Sequence, residues 1–399
     1  MDDPYNLHEL KSVWEKHARH DPLWAILSYP QQKGRKWQMA HFFRTGEMEI
    51  DCLVGQMTKL RKPAERVRAL DFGCGVGRLS QPLCRYFREV IGVDISPTMI
   101  SLANALNQYG EQCRYIQNDR DNLSMLPDDS IDLVYSNIVL QHIPPYTAKE
   151  YIREFLRIAK ADGIVIFQLP SHRKPVSNAT EKPQAMPVEA YQARILALSE
   201  PSRRILPGQS ATIPLRIIND TPLSWRTNAV SPLRCGNHWL NADNDVSVIF
   251  DDGRVDIPDG LEAGQSCIVD LTVTAPEAPG EYICEIDVVH ELISWFKVYG
   301  SPTLHFPVTV SVTDSVTLGK PAIPYKKKKQ PDTTFPEIEQ LLPETTEEPP
   351  PYSVFGIPKK EVSELIRRQG GHILHIETDG RTGIDWVAYL YFVSPSLSR

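Results

Sequence analysis

A glycine-rich turn between a short apolar strand and a helix constrains this chain more than any other feature. The segment LDFGCGVGRLS (70–80) places Asp71 at the end of the strand, followed by Gly73, Gly75 and Gly77. Glycine lets the chain turn sharply and lets a ligand reach backbone N–H groups at the start of a helix. We therefore expect a ligand site at the carboxyl end of this strand.

Downstream of residue 66, short apolar runs alternate with helical patterns. The predicted strands cover residues 67–72, 89–94, 113–117, 131–136 and 163–168. The predicted helices between them cover about 78–87, 97–109 and 147–160. This alternation predicts an α/β domain with a parallel sheet covered by helices on both faces.

The ends of the chain have a different character from the middle. Residues 1–65 predict a helical cap, because apolar residues fall on one face over 6–19 and again over 47–61. At the other end, residues 353–399 predict a helix over 358–369 and two further strands. A helix and hairpin of this size do not fold alone, so we expect them to pack on the α/β domain.

The apolar period becomes two after about residue 190, for example in CIVDLTVT (267–274) and EYICEIDV (281–288). Residues 189–318 therefore predict an all-β, immunoglobulin-like sandwich. Its tryptophans, such as Trp225 and Trp239, form either the core of that sandwich or a platform for sugar rings. Residues 319–352, which are rich in proline, predict a mobile linker.

Composition excludes several classes of protein. The length of 399 residues favours two or three domains, and a net charge of −7 disfavours general nucleic-acid binding. No apolar run is long enough to span a membrane, and the N-terminus lacks a signal segment. The seven cysteines contain no C-x-x-C pair, so we expect a reducing cytoplasm and predict no metal site.

Two acidic residues follow the next predicted strands. Asp94 ends the second strand, where a carboxylate can accept hydrogen bonds from the ribose hydroxyls of an adenosine, and Asp119 follows the third. A dinucleotide site of the NAD or FAD type needs G-x-G-x-x-G, but counting from Gly73 the third glycine is replaced by Arg78. An NAD-dependent enzyme therefore ranks as a distant alternative.

The pattern D-x-G-x-G-x-G resembles the first motif of class I S-adenosylmethionine (SAM)-dependent methyltransferases of the type 11/12-like group. The resemblance covers about residues 66–170. It implies a doubly wound, seven-stranded, Rossmann-like sheet and SAM as the cofactor. Because the first part, 66–188, contains only five predicted strands, the last helix and hairpin of the family would come from 353–399. The sandwich would then be an insertion in a discontinuous domain, near the substrate mouth.

The resemblance also implies which residues bind SAM. They are Asp71, Gly73, Gly75, Gly77, Asp94, Ile95, Asp119, Arg120, Ser136 and Asn137. The glycines would lie beneath the methionine part, the residues after the second and third strands would contact the ribose and adenine, and the last two would face the SAM amino group and the substrate. In the cap, Arg44 would pair with the methionine carboxylate. The alternative for Arg44 is a solvated arginine.

His142 is the candidate catalytic residue. Methyl transfer from a sulfonium is an in-line displacement, and a hydroxyl acceptor also needs a base. His142 lies in SNIVLQHIPPY, after the fourth strand, where similar methyltransferases place residues that face the substrate. The alternative is a histidine that packs against the next helix or contacts SAM only. The segment lacks the Asn or Asp that precedes Pro-Pro in amino-directed nucleic-acid methyltransferases, which disfavours base methylation.

The sequence therefore predicts a cytoplasmic, bacterial, SAM-dependent methyltransferase. Its expected substrate is a glycan or small metabolite, methylated on a hydroxyl, with no nucleic-acid partner and no membrane insertion. Two alternatives stay open: an N-methyltransferase of a small molecule, and a non-catalytic SAM-binding protein whose β-sandwich recruits a partner. No sequence feature predicts an oligomeric state.

Overall fold

The computed structural model of the chain describes residues 7–28, 32–174, 183–242, 247–249, 252–311, 336, 338, 341–342, 348–379, 382 and 385–395. The first helices are α1 (Leu7–His20), α2 (Pro22–Ile26) and α3 (Met39–Lys59). The α/β region contains β1 (Arg68–Phe72), α4 (Ser80–Leu83), β2 (Glu89–Asp94), α5 (Pro97–Ala105), β3 (Cys113–Gln117), β4 (Ile131–Ser136), α6 (Pro145–Ile158) and β5 (Ala159–Arg173).

The all-β region contains β6 (Ala193–Ala197), β7 (Arg204–Ile205), β8 (Ser210–Asn219), β9 (Leu233–Asn241), β10 (Ser247–Ile249), β11 (Arg254–Asp256), β12 (Ser266–Thr274), β13 (Gly280–His290), β14 (Ser294–Trp295) and β15 (Leu304–Val310). The final elements are α7 (Lys359–Arg368), β16 (His372–Asp379) and β17 (Trp386–Ser394).

The α/β region and the last hairpin form one seven-stranded sheet. Its described strands run in the order β16-β17-β5-β4-β1-β2-β3. The strands from β5 to β3 are parallel, whereas β17 pairs antiparallel with β5 and with β16. The predicted fold class is confirmed: the chain leaves this sheet after β5 and returns to it through α7.

Helices cover both faces of the sheet. On one face, Ile50, Leu53 and Met57 of α3 pack against β1, β4 and β5. On the other face, α6 and α7 pack against the same strands through side chains such as Phe155 and Ile366. Burial on both sides explains why the central strands are continuous apolar runs, which is typical of parallel sheets.

The helices fit the predicted ranges less well than the strands do. The predicted helix over 78–87 has a single α-helical turn, α4, after which Cys84 N–H donates to Gln81 O and Tyr86 N–H to Leu83 O. These are the tighter i to i−3 bonds of short turns. Helix α3 begins at Met39 instead of near residue 47, so it includes most of the aromatic stretch WQMAHFFRTGE.

The inserted segment forms separate β-sheets. One has the path β10-β9-β13-β15-β7, with β11 beside β9 and β14 beside β13, and the other has the order β12-β8-β6. Side chains from both sheets enclose a common core that contains Trp225, Trp239, Leu271 and Ile286. Both tryptophans are fully buried, so they are core residues and not an exposed platform.

The insert packs on α3. Strand β10 and the short 3₁₀ helix Phe296–Tyr299 contact α3, and Met48 of α3 packs against the core of the insert. The ring of His41 lies 6.1 Å from that of Tyr299, centroid to centroid. Helix α3 therefore separates the insert from the seven-stranded sheet.

The predicted linker, 319–352, is described only at residues 336, 338, 341–342 and 348–352. Its lysine run lies outside the described residues. Ile338 is buried among the side chains of the N-terminal helices, and Tyr352 stacks on Trp14. These parts of the predicted linker contact the N-terminal helices. None of the described helices has the length and apolar character needed to cross a membrane.

Candidate functional site

A cavity lies at the carboxyl ends of β1, β2 and β4, under the N-terminal helices. Its empty space, including the open mouth, is about 940 Å³. We call one end the polar end, formed by Gly73, Gly75, Asp94 and Asn137. The other is the aromatic end, formed around Trp14 and His142. None of the described lining residues belongs to the insert, and the expected position of the sandwich near the substrate mouth stays a prediction.

The turn after β1 brings bare backbone to the polar end. Gly73 has a φ of +79°, and a Cβ there would lie 2.2 Å from Cγ2 of Val139. Gly75 has a φ of +53°, and a Cβ there would lie 2.4 Å from Cδ1 of Ile26. Both the backbone angle and the lack of space require glycine at these positions.

Gly77 and Asp71 support this turn from outside the cavity. A Cβ on Gly77 would lie 2.2 Å from the Oη atom of Tyr115, so this glycine allows the turn to pack against β3. Asp71 is buried and accepts a hydrogen bond of 2.6 Å from Oγ of Ser80, the first residue of α4. Burial raises the pKa of Asp71 to about 7.

Asp94 places a carboxylate at the polar end. One of its oxygens accepts from the N–H of Gly75 at 2.9 Å, and the other accepts from the N–H of Ser96 at 2.9 Å. Burial raises the pKa of Asp94 above its usual value, although these bonds favour the charged form. Asp94 and Ile95 both line the cavity. The carboxylate has further lone pairs that can accept hydrogen bonds from hydroxyl groups of a ligand.

Asn118, and not its neighbour Asp119, lines the cavity after β3. The side-chain amide of Asn118 donates to the carbonyl oxygens of Arg120 and Asn122. Asp119 is half exposed and lies 2.9 Å from Nζ of Lys11, which lowers its pKa. Arg120 also lies outside the lining. The structure therefore does not bring Asp119 and Arg120 to the described wall of the cavity.

A buried network forms the floor of the polar end. Glu49 of α3 accepts hydrogen bonds from Tyr135 and Asn137, at 2.7 and 2.6 Å, and pairs with Arg78 at 2.8 Å. Three buried polar atoms of this region, Nε of Arg78, Oδ1 of Asn137 and Oγ of Ser136, have no hydrogen-bond partner among the described residues. Because buried polar atoms are normally paired, and Arg78 and Asn137 line the cavity, these atoms fit a polar ligand.

The backbone after β4 is strained where it meets the cavity. Ile138 has a φ of +60°, which is rare for a β-branched residue. It follows Asn137 and precedes Val139, and all three residues line the cavity. Strain of this kind persists where the surrounding structure imposes it, often at functional sites.

The N-terminal helices form the roof. Leu7, Leu10 and Trp14 of α1 and Ile26 of α2 line the cavity. Glu15 of α1 accepts hydrogen bonds from Ser96 and Thr98, at the start of α5. This contact fixes α1 over the end of β2.

Arg44 lies elsewhere. Its guanidinium is 3.5 Å from the carbonyl oxygen of Lys297 in the insert, and it does not line the cavity. The arginine at the described cavity wall is Arg78, which sequence reasoning treated only as a departure from a dinucleotide motif. Helix α3 turns Arg44 toward the insert because α3 lies between the insert and the sheet.

His142 is the central residue of the aromatic end. It is 6% exposed, and burial lowers its pKa to about 4. Nδ1 lies 2.9 Å from the carbonyl oxygen of Ser353, and Nε2 lies 2.9 Å from the side-chain nitrogen of Gln141. The ring of Trp14 packs edge-on at a centroid distance of 5.0 Å. At neutral pH the imidazole is uncharged.

A smaller cavity adjoins the first at the aromatic end. Trp14 and His142 line both cavities, and the far wall of the smaller one includes Tyr352 and Phe355. These residues come from the end of the predicted linker and the segment after it. Sequence reasoning missed them because proline-rich composition carries no signal of what a segment packs against.

Sequence reasoning also missed Glu49, Arg78 and Asn118. Glu49 and Arg78 interact across α3 and the glycine turn, a pairing that no local pattern reveals. Asn118 is one position before the predicted Asp119, so the prediction identified the right segment but the wrong residue.

The chain is similar to known methyltransferases over part of its length. A family model described as "Methyltransferase domain" matches residues 70–167. An uncharacterized methyltransferase, YcgJ, of Bacillus subtilis is 31% identical over 124 residues, which are 31% of this chain and 47% of the relative. A ubiquinone biosynthesis O-methyltransferase of Cereibacter sphaeroides is 35% identical over 106 residues, 26% of this chain and 41% of the relative.

Phosphoethanolamine N-methyltransferase 3 of Arabidopsis thaliana is 26% identical over 107 residues, 27% of this chain and 22% of the relative. The chain thus spans less than half the length of each of these relatives.

Proposed function

We propose that the chain is a SAM-dependent methyltransferase of a small-molecule or glycan hydroxyl, because its residues 70–167 match the model of a methyltransferase domain. The observation that supports this proposal most is the polar end of the cavity. There, bare backbone at Gly73 and Gly75, the Asp94 carboxylate and the unpaired buried atoms of Arg78 and Asn137 surround one space.

We assign the polar end to the cofactor. Gly73, Gly75, Asp94, Ile95 and Asn137 would hold SAM, which supplies an electrophilic methyl group when bound. Asp71, Gly77 and Ser136 would support these residues from below, as their buried positions indicate. Asp119, Arg120 and Arg44 would not contact it in this arrangement of the chain.

His142 would act as the base for the acceptor hydroxyl. Its pKa of about 4 keeps the imidazole uncharged at neutral pH, so a lone pair on the ring can accept the proton of the hydroxyl. The same low pKa favours release of that proton to solvent after the transfer. General-base catalysis of this kind contributes about 10²–10⁴-fold in rate.

The choice of a hydroxyl acceptor rests on His142 and not on the lining of the aromatic end. Among the described residues that line the smaller cavity, none is acidic, and the walls are formed by side chains such as Trp14, Pro144 and Tyr352. Such a wall accepts a neutral hydroxyl, but aromatic rings also bind cations, so the lining alone does not separate O- from N-methylation. One of the similar proteins is an N-methyltransferase.

We also propose an immunoglobulin-like fold for the insert. Its length, its two packed sheets and their shared core are typical of that fold. Because α3 separates the insert from the cavity, the insert would act on the stability or partners of the enzyme and not on the acceptor directly.

Labelling with methyl-labelled SAM tests the proposed function. The pure protein and a Gly73→Ala variant are each incubated with labelled SAM and a fractionated bacterial extract. We expect label in the small-molecule or glycan fraction with the wild type and none with the variant. Label in the nucleic-acid fraction would contradict the proposed acceptor. SAM binding without label in any fraction would contradict catalysis and favour a SAM-binding protein that recruits a partner.

A further inference from the structure

Residues 350–355, which we call the strap, cross over His142 and connect the linker to α7. At one end of the strap, the carbonyl oxygen of Pro350 lies 2.9 Å from Nε2 of His17. In the middle, the ring of Tyr352 stacks on Trp14 with 14° between the planes. At the other end, the N–H of Phe355 donates to the carbonyl oxygen of Gln141 at 2.7 Å. The strap is thus held against α1 and against the turn that carries His142.

The strap determines which ring nitrogen of His142 carries the proton. A backbone carbonyl can only accept hydrogen bonds, so the 2.9 Å contact between Nδ1 of His142 and the oxygen of Ser353 requires the proton on Nδ1. In a neutral imidazole, Nε2 then has the lone pair. Nε2 lies 2.9 Å from the amide nitrogen of Gln141, which is a donor and therefore matches this tautomer.

The orientation of Gln141 is consistent with this assignment. Its side-chain oxygen lies 3.4 Å from the amide nitrogen of Gln168, and that nitrogen also donates to Oγ1 of Thr382. Gln168 is fully buried within β5. The chain of hydrogen bonds from β5 to the strap therefore has one direction, with each amide nitrogen donating toward the next acceptor.

We propose that the strap is a positioning element for catalysis: the carbonyl of Ser353 holds His142 as the Nδ1–H tautomer and so makes Nε2 the atom that takes the proton of the acceptor. This inference rests on the proposed function, because it assumes that His142 is the base. The acceptor hydroxyl would replace the amide of Gln141 at Nε2.

The proton balance of the step supports the same geometry. As the bond between the acceptor oxygen and the methyl carbon forms, the bond between that carbon and the sulfonium sulfur breaks, and its electron pair stays on sulfur as a thioether. The hydroxyl proton moves to Nε2 of His142. The ring is then an imidazolium that still donates from Nδ1 to Ser353, and a hydrogen bond from a charged donor is stronger than one from a neutral donor.

The tautomer can be measured without an acceptor. In protein labelled with ¹⁵N-histidine, long-range ¹H–¹⁵N spectra distinguish a protonated from an unprotonated ring nitrogen, and His142 is assigned by its loss in His142→Gln. We expect a protonated Nδ1 and an unprotonated Nε2 in the wild type. Tyr352→Ala, which removes the stacking on Trp14 and the bond to Ser28, should shift both resonances toward the average of two tautomers. A protonated Nε2 in the wild type would overturn the inference.

Ser353→Ala is the matched control, because it changes the same segment but keeps the carbonyl that bonds to Nδ1. It should leave both resonances of His142 unchanged. Tyr352→Phe keeps the stacked ring and should behave in the same way. Equal spectra for Tyr352→Ala and the wild type would overturn the proposed role of the strap.

Kinetic measurements complete the test. They use the extract fraction that becomes labelled as the source of the acceptor. In Tyr352→Ala we expect kcat to fall about tenfold or more, within the range of general-base catalysis, while the Kd for SAM stays within about twofold. The acidic limb of the kcat profile should move to higher pH, because a less buried His142 regains a higher pKa. If Tyr352→Ala shifts the tautomer but His142→Gln keeps full kcat, the base in the proposed function is wrong. An unshifted tautomer contradicts the strap inference itself.

Discussion

The polar end and the aromatic end of the cavity are built in opposite ways. The polar end comes from a short stretch of chain: Gly73 and Gly75 follow β1, and Asp94 ends β2, its direct neighbour in the sheet. The aromatic end joins Trp14, His142 and Tyr352, which come from the first helix, the turn after β4 and the strap. One end is therefore encoded locally, whereas the other depends on tertiary packing.

The two ends also differ in how they use charge. Asp94 at the polar end and Asp71, which supports the glycine turn from outside the cavity, are both buried, and their pKa values are raised. At the aromatic end, His142 is buried, and its pKa is lowered. Burial therefore disfavours the charged form of these side chains, and it does so by opposite shifts. The experiments below separate the two ends by binding, by turnover and by pH.

The largest effect on SAM binding is expected from a side chain added to the glycine turn at the polar end. Gly73→Ala should weaken SAM binding by about 100-fold or more, equivalent to about 2.7 kcal/mol, because the new Cβ would overlap Val139 at a φ of +79°. Titration calorimetry with SAM measures this loss.

Gly110→Ala is the control for the substitution in Gly73. Gly110 also has a positive φ, of +52°, but a Cβ there meets no atom within 4 Å. This variant should keep the SAM affinity of the wild type. Equal affinities for Gly73→Ala and the wild type would show that the glycine turn does not contact the cofactor.

The next largest effect is a loss of turnover from a substitution at the aromatic end, which should leave SAM binding at the polar end unchanged. His142→Gln should reduce kcat by about 100-fold, within the range of general-base catalysis, with the Kd for SAM within about twofold. Initial rates with the labelled acceptor fraction and SAM titrations measure the two quantities separately. A loss of SAM binding equal to the loss of kcat would place His142 in the cofactor site instead.

The pH dependence of stability should have opposite signs for His142 and for Asp71. The folded pKa of His142, about 4, is below the usual value of about 6.5. Between these values the unfolded chain binds a proton that the folded protein does not, so acidification destabilises the protein by about 1.4 kcal/mol per pH unit. For Asp71 the folded pKa of about 7 is above its usual value of 3.8. In that interval the folded protein holds the extra proton, so acidification is stabilising.

Urea unfolding at pH 7 and pH 5 checks these signs. Relative to the wild type, His142→Gln should lose less free energy of unfolding on acidification, and Asp71→Asn should lose more. Identical changes for all three proteins would contradict the assigned pKa shifts.

The smallest effect is expected for Arg44→Ala. The guanidinium of Arg44 contacts the insert and not the cavity, so the Kd for SAM should change by less than about twofold, as for an exposed, weakly coupled charge. The comparison is Arg78→Met, which removes a charge that lines the cavity. This variant should weaken SAM binding measurably. A larger loss for Arg44→Ala than for Arg78→Met would restore the role that the sequence predicted for Arg44.

The contrast between the locally encoded polar end and the aromatic end also explains how much of the structure the sequence could predict. Strands β2, β3 and β4 begin and end where the apolar runs predict, because a buried strand needs only a short continuous run of apolar residues. The glycine turn and Asp94 were predictable because the carboxyl ends of adjacent parallel strands meet.

The contacts of the aromatic end were not predictable in this way. His142 was a candidate from its place after the fourth strand, but its partner Ser353 lies far away in the sequence. Arg44 and Asp119 were assigned by position, and the structure turns them toward Lys297 and Lys11 instead. No periodic pattern encodes such partners, since they depend on how separate segments dock.

The most direct test of the central claim is titration calorimetry of the wild-type protein with SAM and, separately, with NAD⁺. We predict saturable, one-to-one binding of SAM that is retained in His142→Gln, and no binding of NAD⁺. Binding of NAD⁺ without SAM, or SAM binding that Gly73→Ala leaves unchanged, would contradict the assignment of the polar end to SAM.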